Sequence, residues 1–134
     1  MGDLAFADDW RFTSITIPAS LTEFGNDPFN RCSRLTEVNI SADNQNLKMI
    51  GHALISLPDG EMITYLPAYK KEPIVIPEEV RIIGERVFYE YQDLKSITIP
   101  DQVTEIRENA FELCTKLEEV VFPKELRKIG RAHV

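Results

Sequence analysis

Read for its apolar positions alone, the chain is a series of short couplets. Ile15 and Ile17, Val38 and Ile40, Ile74 and Ile76, Ile97 and Ile99, and Val120 and Phe122 each stand two residues apart. That spacing puts both side chains on one face of a strand. Four couplets run into proline, at Pro18, Pro77, Pro100 and Pro123, while Ser41 fills the slot after Ile40. Proline cannot donate to a strand ladder, so it marks where each predicted strand ends.

The markers are separated by 23, 36, 23 and 23 residues. Between them "LTEFGNDPFNRCSRL", "VRIIGERVFYEYQDL" and "VTEIRENAFELCTKL" align without a gap, and "SITIP" occurs at both 14–18 and 96–100. The unit reads LxxVxIPxxVTxIGxxAFxxC. Its strand is followed by a returning segment with Val103 and Ile106 inward, then by a short helical turn burying Ala110, Phe111 and Cys114. A step of 23 residues is too short for an ordinary helical crossover. The units are therefore expected to stack as coils of one solenoid with a parallel ladder.

The long step carries residues 42–72, in place of one returning segment and its turn. There "HALISL" and "EMITYL" flank Pro58, Asp59 and Gly60, a turn signal between apolar runs that predicts a β-hairpin island packed against the solenoid or projecting from it. Asp43, Asn44 and Asn46 lack the acidic ladder and bidentate glutamate of a calcium loop, and are read as turn residues.

The repeated phrase "LKSITIPDQVTEIRENAFELC" resembles the unit of BspA-type leucine-rich-repeat proteins, which also occurs in treponemal leucine-rich proteins. The likeness runs from about Leu4 to Val134, and the island resembles the interruptions common in that family. Pro28 before Phe29, Arg107 after Ile106 and Tyr91 in the cysteine slot depart from the pattern. The resemblance implies a leucine-rich-repeat solenoid, mainly parallel β with short helical turns, in one domain over 1–134 that is a piece of a longer chain. It also implies a bacterial cell-surface or secreted protein, non-enzymatic, that adheres to host matrix proteins, other surface proteins or glycans.

Alternation then names the surface for such contacts. Ser14, Thr16, Glu37, Asn39, Pro73, Val75, Ser96, Thr98, Glu119 and Val121 point outward, on five adjacent strands making a strip about 20 Å wide. The island offers a second place, with Tyr65, Tyr69, Lys70 and Lys71 expected outside, since loops on a rigid scaffold often carry recognition. A spacer that presents another domain is the competing use of the same coils. An enzyme using the island is a third.

Composition narrows the choice. At 134 residues, 43% apolar and 28% charged, the chain is an ordinary globular domain in size and makeup. A net charge of -7 argues against nucleic acid, and the basic run of Lys124, Arg127, Lys128 and Arg131 reads as a solvated face. No apolar run reaches the length of about 18 residues that would predict a membrane span, and the first residues lack a secretory signal.

Cys32 and Cys114 sit three coils apart, a separation of about 14 Å or more, so no bridge is expected and both read as small buried groups. No catalytic motif, cofactor loop or metal cluster is present. His52, Ser56 and Asp59 lie close in sequence, but a hairpin rarely gives the geometry of a triad. Asn39-Ile40-Ser41 has the glycosylation pattern but falls on a core strand. Terminal coils without polar caps predict end-to-end self-association.

Overall fold

The computed structural model describes residues 13–21, 34–69, 73–124 and 128–129. Among them ten short strands alternate with turns: β1 (Ser14–Ile17), β2 (Glu37–Ile40), β3 (Leu47–Ile50), β4 (Ala53–Ser56), β5 (Glu61–Tyr65), β6 (Ile82–Ile83), β7 (Ser96–Thr98), β8 (Glu105–Ile106), β9 (Glu119–Val121) and β10 (Lys128–Ile129). The one described helix is a single 3-10 turn, Pro67–Tyr69. Strand couplets, proline stops and return segments thus become short strands because each holds only two or three positions that alternate cleanly.

Parallel pairs join the same slot in successive units. Ser14 faces Glu37 and Ile15 faces Val38 in the β1–β2 sheet, and Ser96 faces Glu119 in the β7–β9 sheet. The returning segments do likewise: Ile82 faces Glu105 in the β6–β8 pair, and Glu105 faces Lys128 in the β8–β10 pair. The inward residues expected of the returning segment and its turn are buried, with Val103, Ile106 and Ala110 each at 0% exposure.

The turn region is not helical. Residues 85–90 and 108–113 are runs of tight turns, with left-handed backbone at Arg86 and Glu90 (φ 59° and 60°) and again at Asn109 and Leu113 (φ 60° and 62°). Each left-handed residue breaks an α-helix and turns amides toward the next unit. Phe88 N–H accordingly donates to Ala110 O and Glu90 N–H to Glu112 O, both at 2.9 Å. The expected short helical turns are therefore replaced by turns that carry the ladder around the bend.

The inserted segment departs further from expectation. It holds two hairpins, since β3 pairs antiparallel with β4 before β4 pairs with β5. Gly51, at φ 58°, supplies the left-handed residue that the short β3–β4 link needs. β5 then pairs parallel with β6, giving one sheet in the order β10-β8-β6-β5-β4-β3. Nor does the island project, because β4 is buried on both faces. Ala53 and Ile55 enter a core with Val80, Phe88, Ile97 and Phe111, while Leu54 enters another with Ile17, Leu35 and Val38.

Two ladder expectations are corrected. Residues 73–77 form no strand, so the five-stranded strip is two separate pairs. Pro73 and Pro77 bracket only three residues and remove a donor at each end, which leaves too little backbone for a ladder. Phe122, expected inside, is 44% exposed; it lies beyond the end of β9, and no described strand pairs over that one.

Candidate recognition surface

The outward positions are built by register. On the β1–β2 sheet Ser14 stands opposite Glu37 and Thr16 opposite Asn39, and all four are exposed. On the β7–β9 sheet Ser96 stands opposite Glu119 and Thr98 opposite Val121, all exposed again. Of the residues between them in sequence, Val38 and Ile97 are buried, while Ile15 and Val120 are half-buried and pack against the cores. Val75 is 72% exposed on the segment that forms no strand, and Pro73 is exposed beside it. The structure thus gathers the expected face into two four-residue patches, with Val75 in neither.

The island residues divide differently. Tyr65, expected outside, is 3% exposed. Its ring lies 6.2 Å from Phe88, which stacks on Phe111 at 5.4 Å, and the Tyr91 hydroxyl donates to Tyr65 O. Tyr65, Phe88 and Phe111 are spaced by 23 residues, so the island ends by filling the phenylalanine slot of the missing unit. That spacing was the signal for its burial.

Tyr69 is half-buried: its ring stacks on His52 at 3.5 Å, and its hydroxyl donates to Thr36 O at 2.9 Å. Lys70, Lys71 and Cys32 lie outside the described residues. His52 also meets the edge of Tyr65 at 5.9 Å, while Asp59 Oδ1 accepts from Glu61 N–H inside its own turn. The histidine is thus packed by tyrosines, and the aspartate serves the hairpin.

Asn44 is the polar centre of the island entry. Its side-chain NH2 donates to Pro18 O at 3.0 Å and Leu21 O at 2.8 Å, while Oδ1 accepts from Asn46 N–H and Leu47 N–H. Every polar capacity of this buried amide is used, which makes it a turn and a tie, as the turn reading requires.

On the return sheet, Arg107 Nη1 lies 3.3 Å from Glu61 Oε1 and its Nε lies 2.8 Å from Glu105 Oε2. Burial pushes the Glu61 carboxyl above its ordinary range, against the pull of Arg107. Among the described residues no group of three or more His, Cys, Asp or Glu side chains is placed to hold a metal ion. No described helix is long and apolar enough to cross a membrane.

A surface element that the alternation did not reveal lies beside β2. A groove of about 590 Å³ runs between β2 and β3, lined by Asn39, Ile40, Ser41, Lys48, Met49 and Leu57 among others. It falls within the size range of ligand clefts, about 300–1,000 Å³.

Strand-rich units, almost without helix, place the chain in the leucine-rich-repeat class, and solved relatives share that fold. A leucine-rich repeat protein from Eubacterium ventriosum superposes with a TM-score of 0.74 at 26% identity over 88% of this chain. A leucine rich cell surface protein from Faecalibacterium prausnitzii gives 0.67 at 26% identity over 86%. The pneumococcal vaccine antigen PcpA, at 19% identity over 89% of the chain, shares the fold with a TM-score of 0.69. The chain belongs to the BspA type leucine rich repeat region family, whose unit matches in six copies over residues 1–57 and 68–133. It covers 32%, 31% and 35% of the three structures, about a third of each. No curated protein sequence matches it.

Proposed function

We propose that this chain is a recognition segment of a surface-displayed or secreted bacterial protein, that its units close into a solenoid of 23-residue coils, and that its ladder face binds other proteins. The reading is non-enzymatic. The observation that carries it is the exposure of Ser14, Thr16, Glu37, Asn39, Ser96, Thr98, Glu119 and Val121 on strands whose intervening residues are buried in the cores or packed against them. Rigid strands hold these hydroxyl, amide, carboxylate and apolar groups at fixed spacing, so a partner meets a preorganised surface. Membership of the family and the cell-surface protein among the relatives support surface display.

Adhesion to host matrix proteins, to other surface proteins or to glycans is the specific form of this proposal. The test is binding of the parent protein to immobilised matrix proteins, host cells, partner bacteria and glycans. Paired Thr16→Arg and Asn39→Arg substitutions, or Thr98→Arg and Val121→Arg, are expected to reduce binding about tenfold or more, the scale of a disrupted contact centre. Silence on all surfaces, or indifference to both pairs, sinks adhesion through this face.

A further inference from the structure

We draw no further inference here: the strongest candidate, the groove between β2 and β3, carries nothing because Lys48 is the one ionisable side chain among the described residues that line it and nothing in the structure shows what covers it.

Discussion

Tyr91 and Cys114 occupy one slot in successive units, and each donates to a backbone carbonyl 26 residues earlier, Tyr91 Oη to Tyr65 O and Cys114 Sγ to Phe88 O. The unlike residues therefore do the same work. Burial pushes the Cys114 thiol up to about 11, so it stays protonated and able to donate. Tyrosine reaches the equivalent carbonyl in the preceding unit, where the island supplies the acceptor. Tyr91→Phe strips that buried carbonyl of a donor while keeping the ring, and is expected to cost about 1–2 kcal/mol in urea unfolding. A loss near zero would show that the bond does not hold the island to the following unit.

Asn44 ties the island to the preceding unit in the same way. Asn44→Ala removes four hydrogen bonds, leaving Leu21 O and two amides without this partner and Pro18 O with only the 3.3 Å bond from Leu21 N–H. A cost of about 2–4 kcal/mol is expected from one bond's penalty repeated over partly relaxed groups. Asn44→Asp should also destabilise, because a carboxylate cannot donate to the two carbonyls. Thermal unfolding of both variants checks this, and a stable aspartate variant would contradict the assigned amide orientation.

Much of this was legible in the chain, and the limits have physical reasons. The couplets at Ile15/Ile17 and Ile97/Ile99 found their strands because period-two alternation with a proline stop has few other meanings. The same alternation placed Thr16, Asn39 and Thr98 outside. Tyr65 was misplaced because an island invites reading as exposed loop, although counting 23 residues back from Phe88 lands on it. β3 was missed because Leu47, Met49 and Ile50 do not alternate strictly. Arg86, Glu90 and Leu113 are residue types that carry no left-handed signal, so the tight turns read as helix. The groove had no sequence signal, because one of its walls is β3, a strand that the repeat does not predict.

Gly84 should tolerate no side chain. A Cβ there would stand 2.7 Å from Met62 O and 2.8 Å from Glu61 Oε2, closer than real contacts allow. One unit on, the slot holds Arg107, whose side chain reaches back to the same Glu61. Gly84→Ala thus forces the β5–β6 backbone apart or displaces the carboxylate from its ion pair. A loss of about 1–3 kcal/mol in chemical denaturation is expected, the range for overpacking. Unchanged stability would mean that β5 and β6 shift freely.

Leu113 offers a gain. It is held at φ 62° and is 45% exposed, so its backbone is strained while its side chain is only partly buried. Asparagine adopts the left-handed region more readily and already does so at Asn109 (φ 60°) in the same turn. Leu113→Asn is expected to raise stability by about 0.5–1 kcal/mol, read as a higher melting temperature. A fall would show that the leucine's packing outweighs its backbone strain.

Glu61 gives the pH dependence its sign. Burial raises its carboxyl above the ordinary 4.5, Arg107 opposes the rise, and Asp59, Glu105 and Glu85 add to it. A carboxyl with a raised pKa in the folded state binds its proton more tightly there than in the unfolded chain. Its stabilising contribution is therefore complete below pH 4.5 and is lost as pH rises through the folded value. Glu61→Gln does not titrate at this position and keeps nearly the same shape. The stability of the natural chain minus that of the variant is thus expected to fall as pH rises from 4.5 toward neutrality, measured by urea unfolding at each pH. A difference that grows with pH would show the ion pair with Arg107 outweighing burial, and would reverse the order of the two causes.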